Sequence, residues 1–345
     1  QQLARRSFDV DPVATLGAAA ERFQQAIDQD AEFALAWAGL ADAAAVYQRL
    51  RSWAKLAPDS DVAEQLNAKE DAFAALPAPE EAARRALELN PDLAEAHASL
   101  GFVHLQNMDA PAASRALHRA IEAQPSYWEA HHWLGELYFK IGQPQQALDH
   151  VTLAVELNPQ HALARHWLYD TYLAAGHPEK SLKEARRQQE MGLEKNTAIM
   201  GEVRALVNLG RLDDAQTLAE ERASDLGIES AWGRWFRAYL AQILTAQNET
   251  DRAQGCLHEL QAAEAHPSMI AWAHAGIGES EQAVATFRAM DRETWGVIGT
   301  ISAIRYPGTY GLSALKEAPG YPDLVRELNE AWGLTPNGRL PEERD

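Results

Sequence analysis

The sequence predicts an all-α fold, a solenoid of stacked antiparallel helix pairs, and three observations carry that expectation. Three stretches, 94–127, 128–161 and 162–195, align without gaps at a spacing of 34 residues. Within them, large residues recur on one helical face while small residues recur at fixed places. Glycine and proline punctuate the same places in successive stretches, as a repeated turn requires.

The central repeats define the unit. The first contains His97-x2-Leu100-Gly101-x2-His104, Ala113-x3-Leu117, Ala120 and Pro125. The second repeats this as His131-x2-Leu134-Gly135-x2-Tyr138, Ala147-x3-Val151, Ala154 and Pro159. The third keeps Leu168, Tyr172, Gly176, Ser181 and Ala185. Large residues at positions 4, 7 and 11 of each stretch share a face of a first helix. Small ones at positions 8, 20 and 27 let helices approach closely. Gly142/Pro144 and Gly176/Pro178 stop one helix and start the next. Pro91, Pro125 and Pro159 end the second helix, because proline cannot continue it. Such a helix pair buries its apolar face only by stacking on neighbours.

These residues resemble the tetratricopeptide repeat (TPR) family, which implies a right-handed superhelical solenoid. The resemblance extends in weaker form over residues 1–290. Leu3–Arg6 reads as an opening helix, and Phe23, Ala26 and Asp30-Ala31 as the second helix of an opening repeat. Trp37, Leu40 and Ala41 belong to the next first helix, whose partner closes with Ala83, Ala86 and Pro91. That unit runs from 34 to 93, 60 residues, so 26 are inserted, placed at about 47–78. The insertion is expected either to lengthen two helices or to brace the convex face. Gly210 with Ala215, Ala253, and Gly278 with Ala283 mark three degenerate repeats. Residues 291–334 form a C-terminal degenerate repeat with a capping helix at Asp323–Trp332, after turns at Tyr306-Pro307-Gly308 and Pro319–Pro322. Residues 335–345 are expected as a flexible tail. The arrangement is similar, more loosely, to the TPR regions fused to bacterial winged-helix regulators, cyclases and Ser/Thr kinases. The chain begins without Met and is expected to be a segment of something longer.

Composition removes several functions. Lys and Arg number 31 against 50 Asp and Glu, a net charge of −19. Phosphate backbones and anionic membranes would repel such a surface. A hydrophobic content of 46% is too high for a disordered chain. No apolar run reaches the roughly 20 residues of a membrane span. The single Cys256 excludes an internal disulfide and a cysteine-only zinc site, and is expected as a small core residue. One cysteine suits cytoplasm or periplasm, with the cytoplasm favoured. Enzyme signals fail in turn. Gly276-Ile277-Gly278 lacks a third glycine, and no P-loop or nucleophile elbow appears. Phe8–Asp11 starts like a calcium loop but runs into Pro12. Asn248-Glu249-Thr250 is a chance-frequency glycosylation sequon. No catalytic residue, cofactor or metal ligand is assigned.

The TPR resemblance also implies where a ligand sits: positions 2, 5, 9, 12 and 13 of each first helix face a concave groove. Carried onto this chain, the expected groove residues are Asp42, Phe102, Leu105, His132, Glu136, Phe139, Lys140, His166, Asp170, Leu173 and Arg204. The carboxylate-gripping Lys and Asn of TPR co-chaperones are absent at the matching positions. The acidic groove with an apolar floor is expected to take a basic, apolar segment of a partner protein or peptide. His132/Glu136 and His166/Asp170 are i,i+4 pairs at equivalent positions. They read as surface pairs worth a few tenths of a kcal/mol each, with a divalent metal site or a pH latch as the sharper alternative. Trp133 and Trp167 also recur at 34 and read as inter-repeat packing, against an alternative as stacking platforms. The function expected is a non-enzymatic protein- or peptide-binding scaffold or sensory module of a bacterial regulatory or assembly system. The alternatives are a peptide- or pH-sensing domain of a larger regulator, or an accessory domain of an enzyme.

Overall fold

The computed structural model describes residues 12–56, 61–68, 73, 76–193, 195–290, 304–306 and 312–341. Among them are 17 α-helices and no strand. In order these are α1 (Pro12–Gln29), α2 (Ala34–Leu56), α3 (Asp61–Ala68), α4 (Pro79–Leu89), α5 (Ala94–Gln106), α6 (Ala110–Ala123), α7 (Trp128–Lys140) and α8 (Pro144–Leu157). They continue as α9 (Ala162–Ala174), α10 (Pro178–Glu190), α11 (Lys195–Asn208), α12 (Leu212–Leu226), α13 (Ala231–Ala246) and α14 (Thr250–Ala262). The last are α15 (Pro267–Gly276), α16 (Ser280–Ala289) and α17 (Tyr321–Ala331), the last preceded by a 3-10 turn at Ser313–Glu317. The all-α class and the paired-helix solenoid pattern match the sequence expectation. The opening Leu3–Arg6 helix, Phe8–Asp11 and Pro307-Gly308 lie outside the described residues.

From α4 to α16 short turns join the helices, and their chemistry keeps time with the repeat. Met108, Gly142, Gly176 and Gly210 are 34 residues apart, and each has a positive φ. This left-handed residue ends each first helix and is the natural place for glycine. After Asp109 the second helix of its pair starts with the Asp109 carboxylate accepting from Ala112 N–H at 3.1 Å. Beyond Gly210 the corresponding positive-φ residues are Asn248 and Gly278, spaced 38 and 30. The two spacings sum to 68, two periods, so a four-residue excess in one unit is cancelled in the next. The long α13 and short α15 show where. Glu264 also has a positive φ, at an exposed position where a β-carbon is disfavoured. Glu264→Gly is therefore expected to raise stability by about 1 kcal/mol, read as a higher urea midpoint at unchanged m-value.

The chain divides into two compact units. One holds the described residues up to Leu137 together with Asp149–His161. Its core gathers Val13, Leu16, Leu40, Leu50, Leu66 and Phe73. Alanines at the α2–α4–α5 contacts, Ala38, Ala86 and Ala96, are fully buried and let the backbones close in. Gln106 Nε2 donates to the Ala45 carbonyl at 3.0 Å, tying α5 to α2. The insertion lengthens one helix, α2, rather than two. The described remainder folds back as α3 onto α1 and α2, with Tyr47 stacked on Phe73 at 4.1 Å.

The other unit holds Tyr138–Leu148 and the described residues from Ala162 onward. Its largest buried side chains include Trp167, Tyr169, Phe236, Trp272, Phe287 and Trp332. Glycine permits close approach here too: a Cβ on Gly201 would lie 2.5 Å from the Tyr169 ring. The capping helix appears as α17, two residues earlier than expected, with Leu324 and Leu328 buried and Arg288 paired to Glu327. The expected flexible tail departs from expectation over its described part. Thr335 N–H donates to the Arg339 carbonyl at 2.9 Å, and Asn329 Nδ2 donates to the Pro336 carbonyl at 3.0 Å. Those bonds fold 335–339 into a turn held on α17.

Candidate functional site

The first-helix positions expected to line a groove are occupied by the chain's own side chains. In the N-terminal unit, Arg49 from the lengthened end of α2 reaches Glu136 on α7, Nη1 to Oε2 3.0 Å. Its guanidinium lies 5.6 Å from the Phe102 ring centre and 5.5 Å from that of Trp133. Those two rings stack at 4.0 Å and 11°. Arg49 thus sits against one carboxylate and beside two stacked rings. His132 packs against the Trp133 ring at 4.2 Å and edge-on to His161 at 5.6 Å.

The second unit repeats the theme with different partners. Asp170 on α9 receives Arg204 from α11 through both oxygens, at 2.8 and 3.3 Å. His166, one turn before, points Nε2 at Asp170 Oδ2, 3.5 Å away. Its Nδ1 lies 2.6 Å from Tyr169 Oη, which donates in turn to the Thr197 carbonyl. Burial pushes the Asp170 carboxyl up to about 6, against the opposing pull of Arg204. Lys140 Nζ lies 6.0 Å from the Trp167 ring and 5.8 Å from that of Trp332. Phe139 meets Trp167 edge-on at 5.2 Å and Tyr306 at 5.0 Å.

A tetratricopeptide repeat family model matches residues 103–162, from within α5 to the start of α9. Residues 103–162 are tetratricopeptide repeat sequence. No curated protein matches the sequence. Similar solved structures include pilF of Pseudomonas aeruginosa, at 14% identity, covering 57% of this chain and 85% of that one with a TM-score of 0.43. Another is YrrB, described as a TPR protein with an unusual peptide-binding site. It is 22% identical and covers 58% of this chain and 93% of its own, with a TM-score of 0.38. Yeast Tom70 is 16% identical over 92% of this chain and 63% of its own, with a TM-score of 0.45.

Against the TPR expectation of an open groove, the structure makes a correction. Asp42, Phe102, Leu105, His132 and Glu136 in the first unit are all buried, as are Phe139, Lys140, His166, Asp170, Leu173 and Arg204 in the second. Contacts within each unit account for part of this: Arg49 lies on Glu136 and Phe102, Arg204 on Asp170, and Tyr306 on Phe139. The two His–carboxylate pairs are likewise buried rather than on the surface. Among the described residues, no group of three or more His, Cys, Asp and Glu gathers as a metal site. Trp133 and Trp167 are 7% and 0% exposed and pack on aromatic neighbours, so they are packing residues of the TPR units. Cys256 is half-buried, and burial pushes its thiol up to about 11, away from nucleophilic use. Arg49, Arg305 and Tyr306 were not singled out from sequence. Arg49 is 87 residues from Glu136, and Tyr306 donates to Phe139 across 167 residues. No local pattern encodes such a meeting. The Asp170–Arg204 pair is different: its members occupy the same position in consecutive 34-residue units.

Proposed function

We propose that this chain is a non-enzymatic protein- or peptide-binding module that takes a basic, apolar segment of a partner at the first-helix face of its N-terminal unit. The observation that carries the proposal is Arg49. It occupies, in cis, the position a partner's arginine would take, against Glu136 and beside the stacked rings of Phe102 and Trp133. Glu136 itself is fully buried while the Arg49 side chain is 25% exposed, so the resident group is the accessible half of the pair. A partner arginine that displaced it would recover the same charge-assisted bond and ring contacts. TPR proteins serve as protein-interaction scaffolds, and a cytoplasmic place in a bacterial regulatory or assembly system belongs to the same proposal. Among the described residues no helix is long and apolar enough to cross a membrane.

An array of Arg- and Leu-containing peptides tests this. Arg49→Ala is expected to tighten binding of the best basic peptide by about tenfold, since the competing resident is gone. Adding Glu136→Gln, which keeps shape and removes charge, is expected to abolish the gain. Equal affinity in wild type and Arg49→Ala would sink the proposal. A second reading, a pH-sensing module, is favoured by one observation, the buried Asp170 carboxyl lifted to about 6 beside His166 and Arg204.

A further inference from the structure

A second site lies at the other end of the chain's chemistry, around Arg305. The carbonyls of the last turn of α7 need partners, and Phe139 O accepts from Tyr306 Oη at 2.6 Å while Lys140 O accepts from Arg305 Nε at 3.2 Å. Arg305 Nη1 donates to Asn329 Oδ1 at 2.5 Å. Among the described residues, Nη2 is buried and makes no hydrogen bond, and no carboxylate pairs with this guanidinium. Burial lowers its pKa to about 10, the direction of a cation short of counter-charge.

Helix capping explains Nε but not the rest. A neutral donor would cap α7 equally well, whereas burying a cation without an anion is costly. The surroundings supply room for that anion. A cleft of about 810 Å³ opens beside Arg305 and is also lined by Arg339, Asn329, Asn337, Gln143 and Gln146, with Tyr138, Tyr321 and aliphatic residues among the rest. Among the described residues, none that lines the cleft is acidic. The volume is that of a small-molecule site. Gly142 and Gly338 border the guanidinium: a Cβ added to them would lie 3.6 Å from Arg305 Cδ and 3.7 Å from Nη1.

We propose that this cleft binds a carboxylate, which accepts from Arg305 Nη2 and the Arg339 guanidinium, with the Asn and Gln amides holding the remainder of the ligand. A planar carboxylate matches the guanidinium fork better than a point acceptor does. Because Nη2 has no exposed surface, the carboxylate reaches it as the 335–339 turn lifts, and Arg339 travels with that turn. The site is independent of the Arg49 face and stands or falls separately from it.

Isothermal titration of the whole chain tests the proposal with succinate, citrate, inorganic phosphate, and one blocked tripeptide as free acid and as C-terminal amide. Wild type is expected to bind at least one carboxylate with a Kd below about 1 mM. Succinate or citrate binding identifies a free organic acid. Binding of the peptide acid alone, with the amide silent, identifies a chain end as the source of the same group. Arg305→Gln is expected to abolish binding. Because that variant also loses a helix cap, Arg339→Gln carries the test independently: its side chain is exposed and it should fold normally by circular dichroism while binding about tenfold more weakly. Absence of carboxylate binding by wild type, binding of phosphate alone, or equal affinity in Arg339→Gln would each overturn the assignment.

Discussion

Wild-type protein is expected to gain about 3 kcal/mol of stability relative to an Asp170→Asn variant as the pH falls from 8 to 4. The sign follows from the direction of the shift. Burial raises the folded-state carboxyl from 3.8 to about 6, so between those values the folded protein holds a proton that the unfolded chain has released. That contribution is fully present below about 4 and is lost as the pH rises through about 6. Asparagine mimics the protonated form at every pH, so subtracting the variant removes the titration of the remaining carboxylates. Urea denaturation of both proteins across the range measures the difference, and a flat line would show that Asp170 keeps an ordinary pKa. The same burial predicts that Asp170→Lys does not fold. It would place a second cation against Arg204, which is 6% exposed and already depends on this carboxylate. A solvent-open groove would tolerate that reversal.

The second large effect concerns backbone approach. A Cβ at Gly233, in the first turn of α13, would lie 1.8 Å from the Gly227 carbonyl oxygen. The turn between α12 and α13 is tight because Gly227 ends α12 with φ +68 and Arg234 Nε donates to the Ile228 carbonyl at 2.8 Å. Both colliding groups are backbone, so no side chain can swing aside. Gly233→Ala is expected to cost about 3 kcal/mol or more. Gly255 is the control, a glycine inside α14 with nothing within 4 Å of its added Cβ. There alanine is expected to add about 0.5–1 kcal/mol through the lower entropy of the unfolded chain. Thermal or urea unfolding that moved both variants in the same direction would contradict this account of the turn.

The pattern of the fold was legible wherever it is local. Leu-Gly pairs, the alanines at fixed offsets and the Gly-x-Pro turns each report on neighbours one helix away, and α5–α10 fall where that spacing places them. Met108 shows the tolerance of the code: it adopts φ 60 where the next two units use glycine. The candidate site was legible only in part. Asp170 and Arg204 share a repeat position, so their pairing could have been read from opposite charges one period apart. What covers Glu136 and Phe139 could not, because Arg49 comes from the irregular insertion and Tyr306 from beyond the last recognisable repeat. Periodicity specifies which face is shared, but not which distant side chain arrives to fill it.

The left-handed residues at 108, 142, 176 and 210 have a consequence for how such a chain can change. A segment running from one of these residues to the next contains its own stop, its own start and one complete contact face. Excision or duplication between Gly142 and Gly176 would therefore join like to like, leaving every new neighbour chemically familiar. The cancelled four-residue excess between Gly210 and Gly278 extends the allowance to about one turn of helix, provided the next unit gives it back. Descent by whole-unit copying, with small slips repaired one unit later, is thus a route along which every intermediate still closes its turns.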